Sequence, residues 1–289
     1  MSPRPRHVLP IALGALIVCA CPLSAQVDER VIYASVVNKD GEPALDLGVK
    51  DFIVREDGQA REILNVAHDN DPLQIALLVD NSTVMRNRLS DLRRALGAFI
   101  DATREGVQIA LITLAERPTI AVGYTADHAA LHKGIDRLFA FPAGNYLLDG
   151  IAETSQGLSK RTMWRAVIAV VTGSGPEFSY RQYTEVLRFF REGGAALHVL
   201  NLGAGSADAG REIVLSRGTS DTGGRYDTIL SPTGLELKAR QMAAEISNQY
   251  RVTYARPERL IAPRNTEVSV RRQDLKARGM LMKTDEEQR

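Results

Sequence analysis

Thiols are almost absent from this chain. Its 289 residues include two cysteines, Cys19 and Cys21, both close to the amino terminus. If that leader is removed, no thiol and no disulfide remain, and the mature fold must be held by its core alone. Excess charge is absent too: 36 basic residues against 35 acidic ones leave a formal net charge of +1. With the two signs interspersed, nothing argues for nucleic acid or an anionic membrane surface as a partner. After residue 20 no stretch is long and apolar enough to cross a bilayer, so no membrane span is expected in the mature chain. There is no internal repeat and no low-complexity linker. What remains is 44% hydrophobic and 25% charged, ordinary for a soluble globular protein. The length allows a sizeable core, in one large domain or two smaller ones.

The amino terminus has its own pattern. Arg4, Arg6 and His7 precede an apolar stretch from Val8 to Ala20, and Leu23-Ser24-Ala25 supplies small residues before Gln26. That order is a secretory signal peptide over residues 1–25, its apolar run too short to span a membrane well. The expectation is a mature chain starting at Gln26, secreted or periplasmic. A membrane anchor is one alternative. A lipoprotein through Cys21 is another, because Val18-Cys19-Ala20-Cys21 loosely resembles a lipid-attachment box. Cys19 at the second position is unusual there, which favours simple cleavage after Ala25.

From Asp28 to Asn70 the chain reads as strands. Val31 to Val37 is rich in β-branched and aromatic types, and turns are signalled at Asp40-Gly41 and at Asp57-Gly58, the second between Phe52–Val54 and Ile63–Val66. The run Ile75 to Val79 is apolar on both faces and stops abruptly at Asp80-Asn81-Ser82. Such a run suits the centre of a parallel sheet covered by helices, and polar residues at its carboxyl end lie where open α/β sheets gather ligands. Helical spacing follows in Leu89 to Ile100, after Thr125, from near Asn145, at Tyr183 to Phe190 and at Leu235 to Tyr250. Between these come a strand pair around Arg117-Pro118 and buried strands at Ala166 to Val171 and Ala196 to Leu202. Gly203 to Arg225 reads as a long polar loop, and the tail from Arg251 as extended chain. The alternation implies a doubly wound, mostly parallel sheet flanked by helices. The expected divisions are a β-hairpin extension at 26–71, the α/β domain at 72–255, and a strand and tail at 256–289 that pack on the extension as a small β appendage.

In order, Asp40-Gly41-Glu42-Pro43, Asp51-Phe52, Glu56-Asp57-Gly58, the Leu73–Met85 stretch, Gln249 to Tyr254 and Lys276 to Gly279 resemble the von Willebrand factor A family, in its secreted Acidobacteria-type branch. The resemblance implies a doubly wound fold and a metal-ion-dependent adhesion site on the loops at the carboxyl end of the sheet. In the family that site uses Asp-x-Ser-x-Ser, a Thr before a middle helix and an Asp after the fourth strand. Here Asp80 and Ser82 match, whereas Val84, Asn145 and Gly173 stand at the other three positions. Val84 has no oxygen, Gly173 has no carboxylate, and Asn145 offers a neutral carbonyl. A hard cation loses a full countercharge and two ligands, and water cannot restore the charge. The site reads as degenerate, with no metal cofactor. The alternative is an adhesion module with a weakened Mg²⁺ site at Asp80 and Ser82, with Asn81 or Asp149 swinging in. Asp80 could equally be a loop cap that ties the strand end to the next helix.

Other chemistry is poorly supported. His128 and His132 share a helix face, but Ala129 stands where a zinc protease has Glu, which leaves two solvated surface histidines. Gly203-Ala204-Gly205 departs from a dinucleotide fingerprint at Asp208, and no helix pattern opens directly after it. No Gly-x-Ser-x-Gly elbow exists, His198 inside a buried strand reads as a satisfied core histidine, and no acid and base carboxylates pair. The reading is a non-enzymatic module with no catalytic residues that binds a protein or other cell-envelope macromolecule through Asp80, Ser82, Asn145, Tyr146 and Gly173. Tyr146 is the expected aromatic anchor. A hydrolase or nucleotide-binding enzyme is the third alternative.

Overall fold

The computed structural model describes residues 27–160, 165–205, 208–257, 261, 263 and 265–281; the signal-peptide expectation lies outside them. The chain opens with β1 (Val27–Val37), β2 (Phe52–Glu56), β3 (Gln59–Arg61) and β4 (Ile63–His68). There follow β5 (Leu73–Val79), α1 (Leu89–Asp101), β6 (Gln108–Thr113), β7 (Thr119–Thr125), α2 (His128–Asp136), α3 (Leu147–Ser159), β8 (Arg165–Gly173), α4 (Tyr183–Gly193), β9 (Ala196–Leu202), α5 (Ala209–Asp221), β10 (Tyr226–Ile229) and α6 (Leu235–Ser247). It closes with β11 (Tyr250–Pro257), β12 (Thr266–Val270) and β13 (Lys276–Leu281).

Six strands form the central sheet in the order β10-β9-β8-β5-β6-β7, all parallel except β7. Period-2 alternation explains why its inner strands read as unbroken apolar runs. In β5, Ile75, Leu77 and Val79 enter the core under α1, α2 and α6. Ala76 and Leu78 enter the opposite core, under α3, α4 and α5. The chain moves outward from β5 through β6 and β7, then returns to place β8 on the other side of β5. The switch point therefore lies between the carboxyl ends of β5 and β8, where such sheets open a crevice.

Helix α5 lies inside the segment expected to be a loop. Its apolar residues are few, so helical periodicity is weak, and other interactions define it. The carboxylate of Asp208 caps its amino end by accepting the amide proton of Arg211 at 2.7 Å. Gly218 lets it approach β9 closely, since a Cβ there would stand 2.9 Å from Leu197. Short β10, also not expected, extends the sheet beside β9.

Both ends of the chain build the appendage. One sheet has the order β13-β1-β11-β4 and the other β12-β2-β3. The boundary drawn at 255 falls inside β11, which pairs with β1 and β4 because Tyr250, Val252 and Tyr254 bury against Ile32, Ala34, Phe52 and Val54. The hairpin partner of β2 is the short β3, not β4. Asp57 and Gly58 both have positive φ, and the two-residue turn they make leaves room for three residues before the chain swings to β11.

A buried polar network joins appendage and central sheet. The Arg165 guanidinium at the start of β8 lies 2.8 Å from the buried Asp69 carboxylate, donates to the Ile246 carbonyl and to Gln249, and sits over the Tyr33 ring. Gln249 in turn donates to Ser35 Oγ at 2.6 Å. Burial lowers the pKa of Arg165 and Asp69 opposes that shift. No helix among the described residues is long and apolar enough to cross a membrane.

His198 lies in β9 as expected, but it is not satisfied: neither ring nitrogen has a hydrogen-bond partner among the described residues. Burial, aided by the charges of Arg278 and Arg225, pushes its pKa down to about 3. The unfolded chain takes up a proton near pH ~6.5 that the folded chain refuses. The stability this group contributes is complete above that pH and is lost towards the folded pKa at up to ~1.4 kcal/mol per pH unit. Urea unfolding of wild type and His198→Leu between pH 6.5 and 5 should therefore show the steeper decline in wild type. Equal slopes would mean that the buried ring is protonated in the fold.

Candidate functional site

The site is built where β5 and β8 end. Asp80 follows β5 directly, and its backbone N–H donates to the Val171 carbonyl on β8 at 2.9 Å. Its side chain is fully buried. One carboxylate oxygen accepts from the Ser82 amide at 2.9 Å, which closes the loop into the next helical turn. The other accepts from Asn145 Nδ2 at 3.1 Å, Thr172 Oγ1 at 3.2 Å and the Gly173 amide at 3.1 Å. Asp80 is thus the loop cap and also the bond that gathers three chain segments.

Asn145 sits just ahead of α3. Its backbone bridges to Ala115 after β6 and to Glu177 after β8. Its amide also donates to Thr172 Oγ1 at 3.1 Å. Turning that amide over would set its oxygen against the carboxylate, so the network fixes the orientation. Asn81 does not swing toward Asp80. Its Oδ1 accepts from the Ala115 amide and its Nδ2 donates to the Phe139 carbonyl, tying down two neighbouring loops.

Sequence reasoning missed the cation of this site. Arg211, on the first turn of α5, is fully buried. It donates to Thr172 Oγ1 at 3.1 Å, to the Gly175 carbonyl at 2.9 Å and to the Gly173 carbonyl at 2.5 Å. The usable signal was Asp208, three residues earlier: it is a preferred helix-capping residue, and capping starts a helix that points Arg211 inward.

A divalent ion does not fit these residues. Both Asp80 oxygens already accept protein donors, and Asn145 turns N–H hydrogens toward them where a ligand would turn an oxygen. Arg211 adds a fixed positive charge one hydroxyl away. A Cβ on Gly173 would stand 2.9 Å from Met85 Sδ and 3.0 Å from Val84 Cγ1, and one on Gly175 would stand 2.6 Å from Val84. Val84 thus fills the room a side chain at position 173 would need. Ser82 Oγ and Asn145 Oδ1 are buried without partners among the described residues, but both are neutral. Among the described residues no group of three His, Cys, Asp or Glu is placed to hold a metal. His132 instead pairs with Asp101 at 2.7 Å on the surface.

Beside this network stands an aromatic surface. Half-buried Tyr146 lies 6.3 Å from Phe178 and 6.0 Å from Tyr180, ring centre to ring centre. Phe178 is 50% and Tyr180 84% exposed. Two carboxylates hold the loop that carries them. Glu177 Oε1 accepts from the Leu147 and Ser179 amides, and burial raises the Glu177 pKa against those bonds and against Arg211. Asp149 accepts from the Tyr180 and Arg181 amides at 3.1 Å each, so it is a loop anchor and not a ligand of the Asp80 site. Phe178 and Tyr180 were legible only as an aromatic-polar-aromatic alternation in a loop.

The geometry defines a doubly wound α/β domain with a closed polar site at its switch point. Residues 75–176 match the family model of the von Willebrand factor type A domain. A von Willebrand factor type A structure from Catenulispora acidiphila is similar at 11% identity and a TM-score of 0.53, over 88% of this chain and 72% of that one. Proximal thread matrix protein 1 from the mussel byssus, with a zinc-occupied adhesion motif, aligns at 16% identity and a TM-score of 0.53, over 66% of this chain and 49% of that one. These likenesses are of fold. Comparison with curated proteins gives no match.

Removing the Asp80 carboxylate would orphan the Ser82 and Gly173 amides and take one acceptor from Asn145 and from Thr172, and a buried donor left unsatisfied costs ~1–3 kcal/mol. Asp80→Ala should therefore destabilise the domain by ~3 kcal/mol or more in urea unfolding with EDTA present. A bare metal site would behave in the opposite way, since without its ion the lone carboxylate is dispensable. Unchanged stability in EDTA would refute the network.

Proposed function

We propose that this chain is a non-enzymatic binding module that takes a protein partner outside the cytoplasm, without a metal ion. Domains of this type are protein-interaction modules, which supports the general role. The observation that carries the finer reading is the saturation of Asp80 by protein donors beside exposed Phe178 and Tyr180. Aromatic side chains on a held loop lose little conformational freedom on binding and are common anchors. Asp80, Ser82, Asn145 and Gly173 act beneath the contact as its support, and Tyr146 acts as its floor. Burial of His198 and the surface pairing of His132 favour a role without catalysis. A metal-dependent module remains the second reading, motivated by the unpartnered oxygens of Ser82 and Asn145.

A partner captured from envelope extract should bind Tyr180→Ala more weakly by ~1–2 kcal/mol or more. The exposure of Tyr180 means that the melting temperature should stay the same, and EDTA should leave binding intact. Loss of binding in EDTA would favour the metal reading, and full binding by Tyr180→Ala would move the contact elsewhere.

Export follows from Arg4, Arg6, the Val8–Ala20 run and Leu23-Ser24-Ala25. The intact mass of the exported protein should correspond to a chain beginning at Gln26. A diacylglyceryl group on Cys21 would make the protein a lipoprotein instead.

A further inference from the structure

A second concave site lies where the appendage meets α6. Its volume is about 320 Å³, and it is formed by the Asn38–Gly41 turn, Arg225 ahead of β10, Lys238 on α6 and the return from Gln273 to Arg278. Lys39, Lys238, Lys276, Arg225 and Arg278 all line it, against one carboxylate, Asp274. In a chain of net charge +1 that is a strong local concentration.

The two arginines are fixed in advance. The buried Glu245 carboxylate takes Arg225 at 3.2 Å through one oxygen and Arg278 at 2.7 Å through the other, and Asp227 also pairs with Arg225. Asp274 is bound to Arg272 at 3.3 Å. Lys39, Lys238 and Lys276 form no salt bridge among the described residues. Counting Glu245, Asp227 and Asp274 against the five cations still leaves two positive charges around the cavity.

We propose that this cavity binds an oxyanion, the phosphate or sulfate group of a small ester. A tetrahedral dianion presents several acceptors at once, matching the point charges of lysines and the fork of an arginine. The volume is at the small end of ligand pockets and suits a head group of that size. The site shares no residue with the Asp80 network or the aromatic surface, so it could be engaged while a protein partner is bound.

The test is titration calorimetry of the full mature chain with inorganic phosphate and with sulfate, at ionic strength held constant with chloride. Saturable one-to-one binding is expected. The double variant Lys39→Ala, Lys276→Ala should weaken it about tenfold or more, the scale of a lost charge-assisted contact. Both lysines are exposed, so the melting temperature of the variant should match wild type. Absence of saturable binding, or equal affinity in the variant, would overturn the proposal. Vesicles of phosphatidic acid, with phosphatidylcholine as control, identify the source of the group. Retention that depends on the lysines assigns a lipid head group, and phosphate binding without vesicle binding assigns a soluble or polymer-borne ester. Vesicle binding that survives the lysine substitutions would also count against the site.

Discussion

The carboxylate of Asp80 holds together segments that the chain separates by up to ninety-three positions. It follows β5, caps the turn that leads to α1, and receives donors from Asn145 ahead of α3 and from the end of β8. At a topological switch point nothing in the sheet itself closes the gap between diverging connections. A single buried anion with donors on all sides does so here. Burying a charge is costly unless it is hydrogen-bonded and countered, and the Arg211 guanidinium shares Thr172 Oγ1 with this carboxylate. Helix α5 is therefore tied to the switch point by charge as well as by packing. That explains why a segment with so little helical periodicity is ordered as a helix at this place.

A chain whose two cysteines are Cys19 and Cys21 depends, from Val27 onward, on interactions of this kind at its other joint as well. The appendage meets the central sheet through Arg165, Asp69, Gln249 and Ser35, all buried. Buried ion pairs add little net stability over an apolar core, but they admit few alternative geometries. The apolar surfaces on either side could slide past one another, whereas a guanidinium that must meet a carboxylate, a carbonyl and an amide together has one place to be. The same logic applies at Glu245, which fixes Arg225 and Arg278 as walls of the polybasic cavity.

Much of this fold could be read in advance because its inner strands obey a simple constraint. A strand covered on both faces must be apolar throughout, so β5, β8 and β9 announced themselves and the parallel sheet followed. Asp80, Ser82, Asn145 and Gly173 were named together from the family resemblance, and the structure brings them into one hydrogen-bonded cluster. What could not be read was the meaning of the substitutions. Val84 and Gly173 look like two separate losses in sequence, whereas in space one is the filling of room left by the other. Arg211 was hidden because its helix is defined by a cap, a glycine contact and a buried charge, none of which has a period. Strands β3 and β10 were too short to rise above their surroundings, and the partner of β4 was set by the burial of Tyr250 and Tyr254 across the appendage.

These substitutions have a joint consequence for what the surface above them can do. A metal site keeps one coordination place for its ligand, so the loops around it stay polar and somewhat open. Once Asn145, Thr172 and the Gly173 amide satisfy the carboxylate, no such place is needed and the opening can close. Val84 then packs over Gly173 and Gly175 at the rim. The loop beyond is free to carry Phe178 and Tyr180, because Glu177 and Asp149 hold its backbone through amide bonds that make no demand on those rings. On the function proposed above, that fixed aromatic area favours a partner with an apolar feature to bury. Arg211, fully buried, supplies positive charge to the site from within through Thr172 Oγ1 and the Gly173 and Gly175 carbonyls.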